Sequence, residues 1–95
     1  MKIEGLIWLP EIVDKLWNKH GVSLYEVEYL LESNPFFNKI GNGNVKGEDL
    51  YRALGKTSEG RYLAVFFIYK ATCEALVISA RDMSKNERKN YGKKK

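Results

Sequence analysis

Ninety-five residues, 44% hydrophobic and 13% aromatic, suffice for one folded domain with a single core, and the composition excludes a disordered chain. The longest apolar run, Tyr62 to Tyr69, falls far short of the roughly 20 residues that cross a bilayer as a helix, and no secretory pattern opens the chain, so the cytoplasm is the expected location. The net charge of +4 is uneven, with seven Lys/Arg against two acids in residues 81–95 and nine against ten in residues 1–80, which suits a polyanion or an acidic protein partner as well as it suits a solubilising tail.

In chain order, Ile3 to Trp8 is a short apolar opening suited to an edge strand, and Pro10 with Glu11 then marks the first turn of a helix. Ile12, Val13, Leu16, Trp17 and His20 recur at helical spacing and predict one buried face, ending near His20 with Gly21 as the stop. Ser23 and Glu26 form a capping box for a second helix, with Val22 and Val27 as its hydrophobic staple. Leu24, Val27, Leu30 and Leu31 make the buried face of that helix, and Ser33 to Pro35 end it.

From Phe36 the texture is β: Phe36 to Ile40, a glycine-rich turn over residues 41–47, then Glu48 to Lys56, Arg61 to Lys70 and Glu74 to Arg81. These segments predict an antiparallel meander, with the doubly apolar Tyr62–Tyr69 run at its centre and the helices on one side. Ser84 and Glu87 form a second capping box, opening a basic third helix. The expected fold is α+β: two N-terminal helices and a C-terminal helix on a small antiparallel sheet, one domain over residues 1–95 with residues 93–95 frayed.

If Lys56 and Arg61 bracket the turn Thr57 to Gly60, pairing sets Arg61 opposite Lys56 on one side and near Arg81 on the other. Like charges across strands destabilise, so three cations at one sheet end predict a bound phosphate. The third helix adds Lys85, Arg88 and the ring of Tyr91, and its N-terminal amides favour an anion. The alternative is that Asp82, Glu59, Glu48 or Asp49 pair with these cations as an ordinary salt-bridged rim.

Few chemistries fit the remaining residues. The glycines of residues 41–47 lack a strand–loop–helix context and a Lys-Ser/Thr ending, so they are a hairpin turn and not a nucleotide loop. One histidine, one cysteine and scattered acids predict no metal site and no cofactor, and Cys73 reads as a buried or turn thiol. Ser79 and Cys73 have no convincing base beside them. Metal-free phosphodiester chemistry on RNA remains: the substrate's 2′-hydroxyl attacks, arginines such as Arg61 and Arg81 hold the phosphate oxygens, and His20 moves a proton. The alternative for His20 is a helix-end cation with no chemistry.

The runs KHGVS (Lys19 to Ser23), ALGKTSEGRYLAVFF (Ala53 to Phe67) and ISARDMSKNERKNY (Ile78 to Tyr91) resemble the BrnT family of toxin–antitoxin systems, over Trp8 to Tyr91. The resemblance implies a RelE-like fold and a metal-independent ribonuclease toxin silenced by a BrnA-like antitoxin. It also implies contact with DNA only through that antitoxin, and no membrane partner. The family's Lys-His-Gly falls on Lys19, His20 and Gly21, its Gly-Arg on Gly60 and Arg61, its Ser-Ala-Arg on Ser79 to Arg81, and its ending on Glu87, Arg88 and Tyr91. The chain departs from the family where Leu9, Ile12 and Leu16 replace an expected Asp, Lys and Asn.

The leading expectation is RNA cleavage with Arg61, Arg81, His20 and Tyr91 as catalytic groups and Lys56, Lys85 and Arg88 guiding the RNA backbone. The alternative is a noncatalytic RNA-binding or antitoxin-binding module of the same fold.

Overall fold

A computed structural model describes residues 1–94. Its elements are β1 (Gly5–Ile7), α1 (Pro10–His20), α2 (Leu24–Glu32), β2 (Phe36–Val45), β3 (Glu48–Lys56), β4 (Tyr62–Tyr69), β5 (Glu74–Asp82) and α3 (Lys85–Lys94). The five strands form one sheet in the order β1-β5-β4-β3-β2, with the apolar β4 at the centre. Strands β2 to β5 are the predicted antiparallel meander, while β1 adds a parallel edge beside β5, from Gly5↔Glu74 to Ile7↔Leu76.

The helices begin and end where their local chemistry dictates. Pro10 occupies the first turn of α1, where its missing N–H costs nothing. Gly21, at φ 62°, stops the helix, its N–H reaching the Trp17 carbonyl. Both arms of the Ser23–Glu26 box form, at 2.9 and 3.2 Å. The Ser84–Glu87 box forms likewise, at 2.8 and 3.1 Å.

Alternation along the strands sends apolar side chains to both faces, and helices cover both. On one face Ala53, Leu63, Val65 and Phe67 meet Leu16 of α1 and Val27, Leu30 and Leu31 of α2. On the other, Leu54 and Ala64 meet Met83 and Tyr91. The expected one-sided layer of helices is therefore incorrect for α3, because β3 and β4 are apolar on both faces and leave a second hydrophobic surface to cover.

Three further expectations change. Trp17, predicted in the buried face of α1, is 62% exposed: Leu16 takes the centre of the contact with the sheet, while Val13 and Trp17 border an open depression beside Val22 and Tyr25. The turn expected over residues 41–47 narrows to Lys46 and Gly47, since β2 continues to Val45 through two register irregularities. The register places Tyr62, not Arg61, opposite Lys56, and Ala64 opposite Arg81. Of the expected frayed tail, residues 93 and 94 fall within the bounds of α3, and Lys95 lies outside the described residues. Among the described residues no helix is long and apolar enough to cross a membrane.

Candidate functional site at the end of helix α1

The register divides the predicted cations between the two faces of the sheet. Leu63 pairs with Asp82 and lies in the core under α1 and α2, so Asp82 points to that side; Ala64 pairs with Arg81 and lies in the cluster under α3. Consecutive strand residues face oppositely, so Arg61, bonded to Asp82, and Arg81 do not share a site. The expected convergence with Lys56 fails for the same one-residue reason that makes register so consequential in any sheet.

Arg61 is a joint between three elements. Its Nε donates to Asp82 Oδ1 at 2.8 Å, and its Nη2 donates to Asp82 Oδ2 at 3.3 Å and to the His20 carbonyl at 2.9 Å. Its Nη1 donates to the Gly21 carbonyl at 2.8 Å and lies 3.5 Å from Glu26 Oε2. The guanidinium thus satisfies carbonyls that the end of α1 leaves orphaned and ties them to the end of β5. Hydrogen bonding from Arg61 holds the Asp82 carboxyl below its usual range, and the same bonding raises the arginine further above its own.

Beside this joint, Lys15, Lys19 and His20 on α1 and Ile78 and Ser79 on β5 line a small recess of about 180 Å³, floored by Ile12 and Leu16. Two features make it. Lys15 and Lys19 are one helical turn apart and share a face with Ile12 and Leu16. A bulge in β5, where the pairing steps from Phe66↔Ser79 to Phe67↔Val77, leaves Ile78 as an extra residue and turns the strand locally. Two lysines and an imidazole around one recess are components of phosphodiester chemistry: charge for the phosphate, and a group able to carry a proton. Lys15 was not among the predicted site residues, although its i, i+4 relation to Lys19 was legible.

The α3 face holds the other predicted residues. Arg81 donates to both oxygens of Glu87, at 2.6 and 3.0 Å, and its guanidinium sits 5.2 Å from the centre of the Phe66 ring. Arg52 of β3 joins the same carboxylate at 3.2 Å, and its Nε is buried with no hydrogen-bond partner among the described residues. Burial acts to raise the Glu87 carboxyl; the bonds from Arg81 and the Ser84 backbone outweigh it and hold the group below its usual range. Sequence marked Glu87 as a cap residue and as part of the family-like ending, but not as the partner of Arg52, which reaches it through the β3 register alone. Nearby, Tyr62 carries Arg88 at 4.0 Å and Lys56 at 5.5 Å over its ring, with the buried Tyr91 edge-on at 6.0 Å. Lys85 is exposed on the first turn of α3. Among the described residues no three His, Cys, Asp or Glu side chains gather as a metal site.

The model of the family described as the ribonuclease toxin BrnT of type II toxin–antitoxin systems matches residues 8–87. The chain belongs to this family. The 1.1 Å crystal structure of the Brucella abortus ribonuclease toxin BrnT shares the fold, with a TM-score of 0.60 at 21% identity, over 88% of this chain and 100% of that one. A comparison with curated proteins finds no match. The BrnT match includes Lys15, Lys19, His20, Arg61, Arg81 and Glu87 and ends before Arg88 and Tyr91. Ile12 and Leu16, two of the three positions read from the sequence as departures from the family's pattern, form the apolar floor of the His20 recess.

Proposed function

We propose that this BrnT-family chain is a toxin that cleaves RNA without a metal ion, in a RelE-like arrangement, and that a BrnA-like antitoxin silences it in the cytoplasm. The observation that carries this reading is the His20 recess, where Lys15 and Lys19 stand beside an imidazole at the end of α1. In this reading His20 takes the proton from a ribose 2′-hydroxyl as its oxygen attacks phosphorus. Lys15 and Lys19 stabilise the charge that develops on the non-bridging oxygens. The bond to the 5′-oxygen breaks, that oxygen takes a proton from a neighbouring ammonium group, and a 2′,3′-cyclic phosphate and a 5′-hydroxyl result.

Arg61, first expected to hold the phosphate, acts here as a positioning residue, since its fork already spans Asp82, His20 and Gly21. Arg81 keeps its bidentate pair with Glu87 and contributes charge to the α3 face, where Lys56, Lys85 and Arg88 guide the RNA backbone. Tyr91, buried under α3, is structural, and the proton-transfer role first expected of it falls to the recess.

The test is cleavage of single-stranded RNA in the presence of a chelator by wild type, His20→Gln, Lys19→Ala, Arg61→Ala and Arg81→Ala. Loss of the proton-transfer group lowers the rate by about two to four orders of magnitude, with the fold checked by circular dichroism. Undiminished cleavage by His20→Gln removes the recess from the mechanism. The apolar floor of Ile12 and Leu16 favours a second reading, an RNA-binding relative without turnover; salt-sensitive RNA binding with no product at any enzyme concentration selects it.

A further inference from the structure

A second recess, of about 420 Å³, opens at the corner where β3 runs past the start of β2. It is lined by Tyr29, Ser33, Asn34, Lys56, Thr57 and Tyr91, among others. The corner is open for a local reason. The β2–β3 ladder begins at Phe36↔Leu54; Asn34, at φ 58°, turns the chain away, and Pro35 has no N–H to donate. Among the described residues no backbone bond continues the ladder to Lys56.

Pairing on the other side of β3 fixes which way the free groups point. The Thr57 N–H donates to the Arg61 carbonyl at 2.8 Å, and the Tyr62 carbonyl accepts from Met83 on the far side of β4 at 3.1 Å. Tyr62 and Lys56 are therefore a pair without mutual bonds, and antiparallel alternation turns the N–H and C=O of Lys56 outward, to the open side of β3. The recess thus has a donor and an acceptor side by side on rigid backbone. It also has the 46%-exposed Tyr29 as an aromatic wall and the Asn34 amide at its edge. Adjacent donor and acceptor groups are what the edge of a nucleobase presents, and an aromatic wall suits its face. The volume lies within the range of small-molecule sites.

We infer that this corner is a nucleobase-binding recess that selects which base lies near the cleaved bond. The inference rests on RNA being the substrate, as proposed above. Thr57 of this recess bonds directly to Arg61, and Arg61 bonds to the His20 carbonyl, so a single residue links the base recess to the cleavage recess. One strand of RNA passing this end of the sheet meets both.

The test uses the full-length, 15N-labelled chain titrated with the four ribonucleosides, their 5′-monophosphates and ribose 5-phosphate, reading amide shifts at Gly55, Lys56 and Asn34. The expected result is a saturable shift at Lys56 with at least one nucleoside and its monophosphate, and none with ribose 5-phosphate. Tyr29→Ala weakens that binding by about tenfold, the order of one lost base–aromatic stack, and Ser33→Phe, which fills the recess from an exposed position, abolishes it. Shifts produced equally by ribose 5-phosphate, or none at Lys56 with any nucleoside, overturn the inference. RNA cleavage with a silent recess leaves the ribonuclease reading standing without it; nucleosides in the recess of a chain that cleaves no RNA leave the recess standing without the ribonuclease.

Discussion

Replacing Glu87 by Gln tests how the α3 face is held. The carboxylate is 7% exposed and accepts from Arg81, Arg52 and the Ser84 N–H at once. The substituted amide keeps an oxygen for the cap but loses the charge, and its N–H protons then face two guanidinium groups. Removing one partner of a buried pair costs about 3–5 kcal/mol. Arg81, 38% exposed, is free to turn toward water, whereas Arg52, at 21%, is held more closely, so we expect about 2–3 kcal/mol here. With a urea slope of about 1 kcal/mol per molar for a chain of this size, the unfolding midpoint falls by about 2–3 M.

Acidification supplies a second reading of the same variant. The Glu87 carboxyl lies below its usual range in the folded protein, so its contribution is present above the unfolded value, about 4, and is lost as pH falls through the folded one. The gap between wild type and Glu87→Gln therefore narrows as the pH drops below the unfolded value and closes once it is below the folded one. A midpoint shift worth less than about 0.5 kcal/mol, the ordinary scatter of surface substitutions, or a gap that stays constant on acidification, refutes the view of Glu87 as the charge that holds both arginines.

Two further variants separate positioning from chemistry at the end of α1. Arg61→Lys keeps the charge but cannot span Asp82 and the His20 and Gly21 carbonyls together. If Arg61 positions, hydrogen exchange at Gly21 and Val22 quickens and RNA cleavage falls with it; a loss of cleavage with unchanged exchange assigns Arg61 to the phosphate instead. Gly21→Ala, at φ 62° with open space around the missing side chain, pays only for the left-handed backbone. It should cost about 1 kcal/mol in thermal or urea unfolding, and no measurable loss there would mean that the end of α1 shifts freely.

Local signals in the sequence were sufficient wherever a few neighbouring residues carry the physics. Pro10 and Gly21 bound α1, the boxes at Ser23–Glu26 and Ser84–Glu87 start α2 and α3, and the doubly apolar run from Tyr62 becomes the central strand. The three BrnT-like runs were legible too, since order and spacing are properties of the chain itself. What sequence could not supply was register. One residue of pairing sends Asp82 and its partner Arg61 to one face and Arg81 to the other, because side chains alternate with a period of two and no local signal sets which neighbour a strand residue meets. The bulge at Ile78, the pair between Glu87 and Arg52, the exposure of Trp17 and the open corner at Lys56 are likewise products of how distant segments abut. Sequence by itself determined most of the elements and carried the family resemblance; tertiary structure decided which residues meet, because strand pairing and helix docking join segments that are far apart in the chain.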